Sequence, residues 1–136
     1  MENTFTVTDI RLYSLTYTKE PLRGEIAGKD TVTIQTDYRF QSSHDESKHE
    51  YTAILGARLY GENVPYAVTI EMIGTFLFED PPTDEEERVF TSSTSPQILF
   101  PYVRETVSDT LRRAGYPSVY LHPVNFQNAT MIQEEE

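Results

Sequence analysis

Between residues 5 and 78 apolar and polar positions alternate, the two-residue period of strands with one covered face. Val32, Ile34, Thr36, Tyr38 and Phe40 alternate with polar neighbours, and so do Tyr51, Ala53, Leu55, Ala57 and Leu59. Residues 64–78 keep Tyr66, Val68, Ile70, Met72, Phe76 and Phe78 on one parity, with Gly74 where a bulge or close packing is expected. The first stretch, residues 5–18, shifts phase: Phe5 and Val7 share one face, Ile10 and Leu12 the other, and Tyr13, Leu15 and Tyr17 return to the first. A bulge near residues 9–11 accounts for that shift. Pro21, Gly24 and Gly28 mark a connection, residues 41–50 read as a polar hairpin loop, and residues 61–63 as a turn. Long strands with short or polar connections predict a four-stranded antiparallel β-meander with one face covered.

Beyond this sheet the period becomes helical. Leu99, Val103, Val107 and Leu111 recur every fourth residue and, with Ala114, form one apolar stripe. Ser95 is the candidate N-cap with Pro96 at the first helical position. Pro101 admits two readings: a kink in a helix that begins at Pro96, or the first turn of one that begins near Phe100. Asp109 can reach Arg112 or Arg113 one turn on, and Gly115 with Pro117 ends the helix. The fold class is therefore α+β in a single domain, 1–136. Residues 1–78 form the sheet, 79–94 an exposed acidic linker, and 95–115 the long helix. Residues 116–136 form an extended segment, with Val119 and Leu121 on one face, and a frayed tail; a C-terminal helix is short or absent.

Composition narrows the function. A formal charge of −11 repels phosphate backbones and anionic headgroups, so nucleic acid and membrane surfaces are poor partners and cationic ones good. With no cysteine, disulfides, thiolate catalysis and Cys-ligated zinc are excluded. The opening residues carry no basic region followed by an apolar run, and no apolar run approaches a membrane span, so a cytoplasmic location is expected. The Asn128 sequon then has no compartment in which to act.

Candidate chemistry is sparse. His44 and His49 with Asp45, Glu46 and Glu50 sit in an exposed polar stretch and read as solvated rather than metal-binding. His122, beside Pro123, reads as a partner in a local hydrogen bond. Gly56 and Gly61 flank a stretch with no following Gly-Lys-Ser/Thr, so no phosphate loop is present and ATP use is disfavoured. No carboxylate pairs with a Ser or His in a recognisable catalytic pattern, so the chain reads as a non-enzyme with no cofactor. The aromatics carry more. Each ring fits a sheet core by itself, but Tyr38, Phe40, Tyr66, Phe76, Phe78, Tyr116 and Phe126 together exceed what one thin sheet under one helix needs. A subset exposed as a groove would bind extended chains through apolar burial, without reading their sequence.

Residues 98–105 (ILFPYVRE) and 115–126 (GYPSVYLHPVNF) carry a family likeness. They resemble the signature half of the SecB export chaperones, whose pattern is close to ILFPYARE, then Gly-aromatic-Pro, then L-x-PVNF. The two motifs cover about the last third of the chain before the tail. Val68, Glu71 and Phe78 fall where that family's fourth strand has comparable types. The resemblance implies a cytoplasmic, cofactor-free holdase that binds unfolded polypeptide clients in apolar grooves rimmed by aromatics. On this chain the groove would draw on Tyr38, Phe40, Tyr66, Val68, Phe76, Phe78, Tyr116 and Phe126. It also implies a homotetramer, a dimer of dimers with long helices between two sheets. The seam is then expected along Leu99, Val103, Val107 and Leu111. An acidic sheet surface would dock the motor SecA, with Glu20 and Glu71 at retained positions.

The chain departs from the pattern in three places. It has no Trp before the second strand, where Gly28 falls; one acidic docking position falls at Thr16; and residues 127–136 offer little to build the family's last helix. SecB-like proteins outside secretion, which chaperone antitoxins or are phage-borne, diverge in the same manner. An interaction module for one dedicated partner is accordingly the alternative.

Overall fold

The computed structural model describes residues 3–20 and 33–121, and the backbone of residues 132–135. Its elements are β1 (Phe5–Lys19), β2 (Gln35–Asp45), β3 (Glu50–Tyr60), β4 (Tyr66–Phe78), α1 (Asp84–Val89), α2 (Ser95–Arg113) and β5 (Ile132–Glu135). Four antiparallel strands followed by one long helix agree with the expected class. The strand order is β1-β4-β3-β2-β5, so only β2, β3 and β4 form a meander, and β1 lies against β4. The connection from β1 to β2 therefore spans three strand spacings, about 14 Å, well within the reach of its residues.

Two bulges, rather than one, correct the phase of β1. The pairing skips Thr8 between Val7 and Asp9, and Tyr13 between Leu12 and Ser14. Each extra residue turns the alternation over once. Phe5, Val7, Ile10, Leu12, Leu15 and Tyr17 thus all pair with β4 residues of the helix-facing parity, instead of dividing between two faces. The parities read for β3 and β4 hold: Tyr51, Ala53, Leu55, Ala57 and Leu59 are buried, as are Tyr66, Val68, Ile70, Met72, Phe76 and Phe78. The polar stretch read as a loop is largely strand: β2 continues to Asp45, and a tight 3-10 turn, Glu46–Lys48, closes the hairpin. His49 follows with φ 52°. The ladder to β3 holds these polar residues extended, and Ser42 is buried among them.

The acidic stretch is not a linker throughout. Thr83 caps α1 by a reciprocal pair: its hydroxyl accepts the Glu86 N–H at 3.1 Å, and Glu86 accepts the Thr83 N–H at 2.8 Å. Four acids in the first turn suit the positive end of the helix, so a run read as repelling is locally favourable. The acidic part is exposed, with no buried residue in α1, but the expected exposed linker ends before Phe90, since Phe90 and Ser93 are buried. A wide turn, Phe90–Thr94, joins α1 to α2 without a break. Ser95 accordingly lies inside helical backbone and caps nothing; its hydroxyl donates to the Phe90 carbonyl at 3.0 Å. The turn seats Phe90 among Phe5, Tyr51, Phe76 and Phe78, with ring centroids between 5.0 and 5.4 Å away.

Pro101 lies within α2, so the helix is the longer of the two alternatives. It stops as read: Gly115 takes φ +90°, and the Tyr116 N–H reaches back to the Leu111 carbonyl at 2.9 Å. Asp109 holds both Arg112 and Arg113.

The stripe on α2 needs correction. Leu99, Val103, Val107 and Leu111 are each 0% exposed within one chain, packed on β3 and β4. Their burial is completed by the protomer's own sheet, which leaves them no surface for a second copy. The tail also differs from a frayed end, since Ile132–Glu135 pairs parallel to β2 with Arg39 opposite Ile132 and Ser42 opposite Glu135. Among the described residues no helix is long and apolar enough to cross a membrane.

Candidate peptide-binding surface

Most of the aromatics read as groove residues are core. Phe40 is 2% exposed, Val68 and Phe76 0%, and Tyr66 and Phe78 under a tenth. A strand parity that faces a helix cannot also face solvent, and α2 covers β3 and β4 along much of their length. Tyr38 and Tyr116 are only partly covered. Phe126 and His122 lie outside the described residues.

Two aromatic pairs remain partly open, each through one ring, Tyr38 or Tyr116, while the other member, Phe100 or Tyr66, is buried. Along β2, the Tyr38 ring lies 6.0 Å from that of Phe100 on α2, and the Arg104 guanidinium sits 5.6 Å over Phe100. Burial pushes the Tyr38 hydroxyl pKa above its ordinary value, as expected for a ring half out of water. This flank ends at the sheet edge, where Ile132–Glu135 is hydrogen-bonded to β2. At the opposite end of α2, Tyr66 and Tyr116 rings pack at 5.0 Å, with the Tyr17 phenol beside Tyr116. Burial raises both Tyr66 and Tyr17, and their phenol neighbours raise them further.

The sequence gives no warning of a third surface, an apolar strip on β1. Val7, Leu12 and Leu15 point to the helix side yet are 40%, 48% and 42% exposed, because α2 lies over β3 and β4 and only Phe5, Ile10 and Tyr17 of β1 pack against the core. Tyr102 on α2 adds an exposed ring. The two bulges that align this strip were half-legible as the phase shift; its exposure depends on where the helix lies.

Glu20 and Glu71 share the sheet face opposite the helix but do not form one cluster. Glu20 pairs through its backbone with Pro65, six residues along β4 from Glu71, about 20 Å away. Glu20 lines a pocket of about 480 Å³ with Arg58, Tyr60 and Tyr66. The Glu71 side chain lies across Gly56, where an added Cβ would meet its Cγ at 3.0 Å. That face also carries Arg11, Arg39 and Arg58, with Asp9 and Asp37. It is mixed in charge, not the acidic surface the resemblance implied.

The model of the family described as preprotein translocase subunit SecB matches residues 14–136. Protein-export protein SecB of Nitrosomonas europaea is 42% identical over 99 residues, 68% of this chain and 61% of that protein. The Thiobacillus denitrificans protein of the same name is 31% identical over 105 residues, 77% of this chain and 66% of its own length. The chain thus spans about three-fifths of the length of the first of these relatives. Among solved structures, a SecB-like chaperone of Mycobacterium tuberculosis in complex with a ChAD peptide from an antitoxin superposes with a TM-score of 0.73. It is 21% identical, and the match covers 88% of this chain and 90% of that one.

Proposed function

Because the chain belongs to the SecB family, we propose that it is an ATP-independent holdase that binds unfolded or extended polypeptides, acting in the cytoplasm in protein export. The observation that carries this reading is the β2 edge. There, an extended polar segment is already held by backbone pairing beside the Tyr38–Phe100 flank. Backbone pairing reads no side chains, and the half-buried Tyr38 ring, backed by the buried Phe100, supplies apolar contact to whatever extended chain lies there. The formal charge of −11 favours clients with basic residues.

Assembly belongs to the same proposal. The exposed strip of Val7, Leu12 and Leu15 with Tyr102 is the surface that a second copy would cover in a homotetramer, in place of the α2 stripe. Several client surfaces on one particle would raise avidity without new contacts. Light scattering from an aggregating unfolded protein, without nucleotide, tests the reading. Stoichiometric amounts of this chain suppress the signal if it is right, and full aggregation with intact assembly counts against it.

A second reading, a module for one dedicated partner, is favoured by the mixed charge of the outer sheet face. SecA docking at Glu20 and Glu71 would there meet Arg11, Arg39 and Arg58. The M. tuberculosis relative with its antitoxin peptide is an instance of a narrower client. Pull-down of a single stoichiometric protein supports this reading, and a broad set of unfolded proteins supports the first.

A further inference from the structure

Resting on the holdase reading, we propose that Ile132–Glu135 is an internal competitor for the peptide-accepting edge. The chain's own acidic segment lies on β2 and has to leave before an extended client can pair there. The register is continuous over four positions: Arg39 with Ile132, Phe40 with Gln133, Gln41 with Glu134 and Ser42 with Glu135. On the other side β2 is fully engaged with β3, from Gln35 to Asp45, so the β5 side is the only side of β2 that exchange can reach.

Three features make this strand displaceable. It is short, and parallel pairing is slightly less stable per residue than antiparallel. Its sequence, Ile-Gln-Glu-Glu, is poor in the branched and aromatic residues that favour strands. Its register also carries Glu134 and Glu135 toward the acidic end of the sheet. Asp45 and Glu50 close the hairpin there, and Glu79, Asp80 and the first turn of α1 follow β4 at the same end. Lys48 and Arg88 offset only part of the acid there, so a basic client segment suits that end better than Glu134 and Glu135 do.

A segment tethered to its own binding edge competes at an effective concentration in the millimolar range, so even a weak strand is significant. While no client is bound it covers a sheet edge that would otherwise invite another sheet. A client displaces it by pairing over more of β2 and by carrying the opposite charge.

The test uses the full chain and a fluorescein-labelled peptide of leucine, serine and lysine, with affinity read by fluorescence anisotropy. Two double variants, Ile132→Pro with Glu134→Pro and Gln133→Pro with Glu135→Pro, remove backbone donors of opposite parity. One of them must remove the donors that face β2. That variant should bind the peptide about fivefold tighter, as expected if the cis strand holds the edge about four-fifths of the time. Glu134→Gln with Glu135→Gln should bind more weakly than wild type, because the neutral strand stays in place. If all variants bind as wild type does, the competitor is refuted and the holdase reading stands. If no form binds, wild type included, both fall.

Discussion

Gly74 and Leu99 form a packing pair whose energetics decide where the helix stripe belongs. Leu99 is fully buried, and a Cβ added at Gly74 would lie 2.9 Å from the Leu99 Cδ2 and 3.1 Å from the Phe76 ring. Leu99→Ala should cost about 3 to 5 kcal/mol, the range for emptying a leucine site in a packed core. Gly74→Ala alone forces Leu99 and Phe76 aside at about 1 to 3 kcal/mol, offset by roughly 0.5 to 1 kcal/mol because alanine is the better strand residue. In the double variant the new methyl group enters space the leucine has left, and its clash with Leu99 disappears. The combined loss should therefore fall short of the sum by about 1 to 2 kcal/mol, well beyond the few tenths expected of independent sites. Urea unfolding at fixed protein concentration, followed by circular dichroism because the chain has no Trp, gives all four stabilities. Additive losses would refute the contact. A Leu99→Ala loss that grows on dilution would return the stripe to a seam between copies.

Other consequences are as direct. Thr83→Ala removes the capping box and should lower stability by about 1 kcal/mol, read as a lower melting temperature with the α2 core intact. Tyr66, Tyr17 and Tyr38 all have hydroxyl pKa values raised above the ordinary 10.0. Their stabilising effect is thus complete below pH 10.0 and lost as pH rises through the folded-state values. Tyr66→Phe should move the alkaline unfolding midpoint upward, with tyrosinate absorbance as the check, and an unchanged midpoint would contradict the burial argument. Leu12→Ser with Leu15→Ser alters only exposed side chains, so the fold should persist while the assembled mass falls in light scattering after size exclusion. An unchanged mass would move the assembly surface away from β1.

What was legible in the sequence is what local periodicity records. Alternation exposed the covered faces of β3 and β4, and Gly115 with the arginines before it placed the end of α2. Strand order was not legible, because β1 finds β4 through contacts distant in sequence. The α1 cap was written in Thr83 and Glu86, but six acids in ten residues read more strongly as repulsion than as a helix start. For the candidate site, apolar parity put Phe40, Val68 and Phe76 on one face of the sheet, where they were expected to line a groove, but parity does not say what covers that face. Their cover is the chain's own helix, while β1, which packs on the core only through Phe5, Ile10 and Tyr17, leaves Val7, Leu12 and Leu15 exposed. The β2 edge was hidden entirely, since nothing in Ile-Gln-Glu-Glu announces a strand.

The central claim is that extended polypeptides are held along β2 and its flank. Hydrogen exchange measured with and without an unfolded client, in the absence of nucleotide, addresses it most directly. The account predicts added protection in peptides that span Tyr38–Ser42 and Phe100–Arg104, with little change on the outer face around Glu71. Protection confined to the outer face, or unchanged exchange along β2 with the client bound, would contradict it.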